Sequence, residues 1–448
     1  VLLPQGSGDF RKYFEWALSP AESTYVRVSP FDGIGAIGIE CEAVSLPAPI
    51  GRGDWWTLGR DSTHRRRSTF TGPSIPSDEW WCYTGYIKRD SLVLSADGTT
   101  FLCAGNNLVA VDQGGIIKWQ VYCQGEGIAI GKDGVLYVCV QNGLAAYSQS
   151  GDYLWDVSAG SDLRPPVIGL DDTIYYASGP TDPYLYAVNP AGYVEWTFPP
   201  AGGDTLSYVT SPAVADDGTL YFVGGNLAGG GNSMLYAITQ DGDELWKYEL
   251  GPFPYSEPVV SDDGVIYVSG ISSSSETDKT LYAISPIGDF AWQFDGEDQL
   301  GSAPSIGPDG TLYVVSKYSS PLYALTKEGT LKWQLDIGYG GSPPCIDADG
   351  TLYVIGAVST GGSYYTQLYS ITSGGSVNWT FPLGSTGMWS DTVILAEEDK
   401  LLVTDDEQYL RAIVDGGSPV WNCQVADYAS WGQLFGTSLE VVSGLLMV

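Results

Sequence analysis

The chain has 448 residues, enough for a large buried core, and a formal charge of −33. The imbalance reflects scarce Lys and Arg, 20 together against 53 acids. It argues against phosphate contacts with nucleic acid and against an electrostatic hold on anionic lipid.

Residues 1–50 do not share the pattern of the rest of the chain. Asp9–Leu18 places Phe10, Phe14, Ala17 and Leu18 at helical spacing, and Thr24–Ser29 and Ile34–Leu46 alternate as strands should. Phe31-Asp32-Gly33 reads as the turn between those strands. Phe10, Phe14, Trp16 and Tyr25 give this extension too much apolar surface for a disordered tail, so it reads as an assembly or capping segment. Leu46–Arg52 (LPAPIGR) is a linker by its Pro and Gly content. Residues 51–78 form a lead-in loop, and residues 79–448 are repetitive.

The repeat is clearest at residues 302–333, SAPSIGPDGTLYVVSKYSSPLYALTKEGTLKW. Asp309-Gly310 and Glu328-Gly329 are turn signals between runs of β-branched and aromatic residues. Each copy therefore has four short strands and ends on a Trp. The terminal residues are Trp119, Trp155, Trp196, Trp246, Trp292, Trp333, Trp379 and Trp421, spaced 36 to 50 residues apart. Four strands per repeat, many times over, predict an all-β fold, a β-propeller of four-stranded blades. The regular Trp residues are expected to pack between blades.

Eight complete copies can be counted. A ninth is expected to be split between the chain ends, with Thr437–Val448 supplying the second and third strands and Glu79–Tyr83 supplying the outer one. Literal counting gives nine blades, with eight as the rival arrangement. In either case an N-terminal outer strand closes the ring, which leaves no open edge at the seam.

The seven cysteines are Cys41, Cys82, Cys103, Cys123, Cys139, Cys345 and Cys423. Cys103 and Cys139 occupy equivalent positions in neighbouring repeats, too far apart for a disulfide, so these thiols read as small buried hydrophobes. Abundant Gly, Ser, Thr and Tyr beside a single His suit an extracellular, cell-surface or periplasmic surface. The chain begins at Val1 rather than Met, as expected if an upstream segment has been removed; no run of 18 apolar residues suggests membrane insertion.

The lead-in contains W-x-x-x-G-R-D-x-x-H-x-x-R-S, from Trp55 to Ser68, followed by Glu79-Trp80 and tandem DG-x-[LI]-Y-V…LYA…G-x-x-x-W units. This pattern resembles the pyrroloquinoline-quinone-like β-propeller repeat family over residues 54–448. The resemblance implies the propeller fold. Its functional implications diverge, because the family holds quinone-dependent dehydrogenases, outer-membrane assembly lipoproteins and other surface proteins. It also implies that His64 and Arg65-Arg66-Arg67 belong to a structural loop fastened across one rim, with the arginines anchored to rim acids. The quinone enzymes carry adjacent cysteines over the cofactor, and this chain has no adjacent pair.

One His leaves little for a Ser-His-Asp triad or a His-rich metal site, so no catalytic residue, cofactor or resident metal is assigned. The recurring turn acids, such as Asp216-Asp217-Gly218 and Asp262-Asp263-Gly264, could form an acidic ring that binds calcium; the alternative is ordinary turn chemistry. Tyr255, Tyr318, Tyr339, Tyr364, Tyr365 and Trp389 fall in or near inter-strand loops, where aromatics suit protein or glycan contacts. The expected function is therefore a non-enzymatic extracytoplasmic scaffold that binds protein partners or copies of itself, or a surface glycan. The alternative is a carbohydrate- or alcohol-acting enzyme, including a quinone-dependent dehydrogenase.

Overall fold

The computed structural model divides into two compact units, residues 1–50 and 51–448. It describes residues 24–25, 44–45, 63–68 and 76–84, then 87–415 with breaks in inter-strand loops, and 422–423. In the first unit Thr24–Tyr25 pairs antiparallel with Val44–Ser45. The helix expected over Asp9–Leu18, with Phe10, Phe14 and Trp16, lies outside the described residues.

Each of the first seven blades of the second unit is an antiparallel meander running from an inner strand to an outer one. Blade 5 shows the pattern with Val259–Val260, Ile266–Ser269, Thr280–Ile284 and Phe290–Asp295. The two middle strands are buried on both faces, which is why they read as continuous apolar runs. The outer strand alternates exposed and half-buried residues, as an edge strand with one covered face should. Blades 1 to 7 occupy residues 87–122, 125–158, 167–198, 208–251, 259–295, 305–336 and 345–384.

The ring has eight blades, not nine. The eighth is built from Val393–Ala396, Lys400–Thr404 and Tyr409–Asp415, with Pro76–Tyr83 as its antiparallel outer strand. Closure by an N-terminal strand is thus as expected, but its partner is Tyr409–Asp415 rather than the chain end. Residues 424–448, including the expected strands of Thr437–Val448, lie outside the described residues. The literal count erred because it ended the eighth unit on Trp421 and kept Glu79–Tyr83 for a ninth. In the structure Trp80 stands opposite Ala412. Trp119 stands opposite Ala110 and Trp333 opposite Ala324 in the same way. The eighth unit therefore already has its terminal Trp, supplied from upstream. Asn422–Cys423 instead adds outside Pro76–Tyr83 in parallel.

A bulge one residue before each Trp fixes this register. The ladder skips Lys118, Lys332 and, at the seam, Glu79. Each of the seven other Trp rings sits against an aromatic ring of the second strand of its own blade, as Trp292 does on Tyr267 at 5.8 Å. The indole also reaches the next blade. Trp292 Nε1 donates to Lys327 O at 2.8 Å and Trp333 Nε1 to Ser373 O at 2.9 Å. These bonds confirm that the regular Trp residues pack between blades. The seam itself is sealed by one apolar cluster drawn from blades 7, 8 and 1, containing Leu368, Ile394, Cys82 and Leu92.

Candidate functional site

A short strap lies on the inner strands of three blades. Val260 N donates to Thr63 O at 3.0 Å, Ile306 N to Arg65 O at 3.1 Å and Ile346 N to Arg66 O at 3.0 Å. Ser68 N returns a bond to Ile346 O at 2.7 Å. Residues 63–68 thus step along blades 5, 6 and 7 and use backbone groups that the two-residue inner strands leave unpaired. His64 and Arg66 adopt positive φ of 63° and 57° to make these steps, a conformation costing non-glycine residues about 1–2 kcal/mol each.

The strap's side chains are fastened as well. His64 is buried, and its Nδ1 lies 3.1 Å from Pro258 O. A carbonyl only accepts, so that nitrogen carries the proton. Arg65 and Arg67 both pair with Asp262, and Arg67 Nη1 also donates to Gly307 O at 3.4 Å. The reading of an anchored loop holds for Arg65 and Arg67, which share the turn acid Asp262. Burial pushes the pKa of the Asp262 carboxyl up, but Arg67 and Arg65 outweigh it and hold the group below the usual carboxylate range.

A depressed folded-state pKa contributes stability that is present above the unfolded value, near 4, and fades as pH falls through the folded one. Asp262→Asn should therefore cost about 0.5–1 kcal/mol at pH 7 and low salt, since Asp262 is 63% exposed and screened by solvent. The gap between variant and parent should close below about pH 4 and shrink in 1 M salt. Urea titrations at both pH values check this; a gap that is independent of pH would mean the ion pairs contribute nothing.

The recurring turn acids are engaged by their own turns. Asp97, Asp217 and Asp309 each accept the backbone N–H two residues on, at 2.9, 2.9 and 3.0 Å. Asp347 accepts two, from Asp349 and Thr351, at 2.9 and 2.7 Å. This is turn chemistry, and among the described residues no group of three or more His, Cys, Asp or Glu side chains could hold a metal ion. The second-strand tyrosines stay protonated: burial, with the turn acid adding to it, pushes Tyr221, Tyr267 and Tyr313 up to about 12. Cys82, Cys103, Cys123, Cys139 and Cys345 are buried thiols, and burial pushes the Cys139 thiol well up.

The aromatic residues singled out for surface contacts are only partly placed. Tyr364 and Tyr365 lie in the strand Ser363–Ile371, near the tip of a long hairpin, and Tyr365 is 45% exposed. Tyr25 lies in the short strand Thr24–Tyr25. Tyr255, Tyr318, Tyr339 and Trp389 lie outside the described residues. Asp262 was visible only as one of many turn acids; its pairing with the strap needs the ring, which brings together residues nearly 200 positions apart.

Comparisons agree with this architecture. Residues 181–342 match the family described as outer membrane protein assembly factor BamB. No curated protein matches the chain. Among solved structures, the quinohemoprotein alcohol dehydrogenase from Comamonas testosteroni is similar with a TM-score of 0.62 and 14% identity, over 86% of this chain and 84% of that one. The Dos1 propeller is similar with a TM-score of 0.58 and 10% identity, over 79% of this chain and 99% of that one. At these identities the likeness shows the fold alone. No helix among the described residues is long and apolar enough to cross a membrane.

Proposed function

We propose that this chain is a non-enzymatic scaffold outside the cytoplasm, whose propeller binds other proteins. One observation carries the reading: the strap's His64, Arg65 and Arg67, the groups best suited to chemistry, are taken up in fastening it to the inner wall of blades 5 to 7. The match of residues 181–342 to an assembly-factor family supports a protein-binding role. Residues 1–50 are the proposed attachment segment, because they form a unit of their own and the ring is already sealed by Pro76–Tyr83 without them.

Turnover tests the reading against the enzymatic one. The purified chain, incubated with pyrroloquinoline quinone, Ca2+, an artificial electron acceptor and a panel of alcohols and sugars, should reduce no acceptor above the heat-denatured control. Saturable turnover overturns the scaffold reading. The attachment role is read separately: after gentle lysis of the source, a chain lacking residues 1–50 should leave the high-mass fraction that holds the intact chain. Equal distribution of the two removes that role from the segment.

A further inference from the structure

Blade 7 differs from its sisters in charge. Residues 350–390 contain no Asp, Glu, Lys or Arg, in a chain whose formal charge is −33. The outer strand of every other blade carries at least one charged residue, as Lys118 does in blade 1, Asp156 in blade 2 and Glu195 in blade 3. The outer strand of blade 7, Val377–Gly384, carries none. Val377 is 44% exposed, and Asn378 and Thr380 are exposed beside it.

An outer strand leaves one row of backbone N–H and C=O groups without a neighbour, and charges along it are the common guard against pairing with another chain. Blade 7 lacks that guard. The fold also shows that an outer edge can take a further strand, since Asn422–Cys423 pairs outside Pro76–Tyr83 in blade 8. Blade 7 offers a long sheet for such an addition: its two middle strands, Leu352–Thr360 and Ser363–Ile371, have nine residues each, against four and five in blade 5. Pro382, with no N–H to donate, bounds the edge available for pairing at Phe381.

We propose that Val377–Phe381 pairs edge to edge with the same strand of a second copy of this chain. The charge pattern selects this partner. A basic protein would gain attraction at any of the charged sectors and has no reason to favour the neutral one. A partner carrying the same large negative charge is repelled everywhere except where charge is absent, and another copy is that partner. Pairing of one strand with itself about a two-fold axis is a closed, isologous contact, so it makes a dimer and joins two blades into one sheet. The inference rests on the scaffold reading in taking a protein as the ligand, but its readout is the mass of the purified chain, which is blind to turnover.

The test uses the full chain in sedimentation equilibrium. The double variant Asn378→Glu with Thr380→Asp places on blade 7 the charges that sister blades already carry at the same positions, Glu195 and Asp156, so the fold tolerates them. The control variant, Ala291→Glu with Gln293→Asp, does the same on blade 5. The expected result is a two-copy mass for the parent and the control, and association weakened at least about tenfold in the blade 7 variant by like-charge apposition. A parent that stays at one-copy mass up to about 1 mM overturns the proposal. A two-copy mass retained by the blade 7 variant, or lost equally in the control, overturns it as well.

Discussion

Gly329→Ala should destabilise the ring by about 2–4 kcal/mol, while Gly310→Ala should cost only about 1 kcal/mol. Both glycines sit in turns at positive φ, +83° and +78°. An alanine at either site meets the same conformational penalty. They differ in what surrounds the added methyl. At Gly310 it would find nothing within 4 Å, whereas at Gly329 it would lie 2.6 Å from Cδ2 and Cε3 of Trp292. The indole belongs to the preceding blade and is held by its bond to Lys327 O, so it must shift and stretch that bond. The difference between the two variants, measured by denaturant titration, isolates the inter-blade packing from the turn. Equal losses would show that the indole yields freely and that the Trp–turn contact does not hold the blades in register.

A chain beginning at Thr84 should lose on the order of 5 kcal/mol or more, enough to abolish a stable ring. It lacks the strand Pro76–Tyr83, whose seven paired residues complete blade 8, and with it Cys82, which is fully buried in the cluster joining blades 7, 8 and 1. Tyr409–Asp415 becomes an open edge, and the buried leucines and isoleucines of the seam meet water. A chain beginning at Thr69 separates the two N-terminal devices. It keeps the closing strand and loses the strap, so it should fold with a smaller loss. A synthetic peptide of residues 74–84 should restore cooperative unfolding to the chain beginning at Thr84. The closure argument fails if that chain unfolds at the same denaturant concentration as the one beginning at Thr69.

Both predictions turn on contacts between residues distant in sequence, and that is where reading the chain alone reaches its limit. Propeller, four strands per blade, turns at Asp-Gly and a Trp at each blade end were all legible, because each depends on residues within one repeat. Strand periodicity and turn chemistry are local, and repetition multiplied the signal. The role of Arg65 and Arg67 as anchors was legible in kind, because the resemblance implied a loop fastened across one rim, but their shared partner Asp262 was not. The blade count was not legible either. A split blade and a chain end with weak strand character look alike in sequence, and only the register that sets Trp80 opposite Ala412 shows that the eighth blade was already complete. Local composition determined what each repeat would become. Ring closure decided which segments complete one another: Glu79–Tyr83 was marked in the sequence as an outer strand, but its partner Tyr409–Asp415 is fixed only once the other blades have brought the two together.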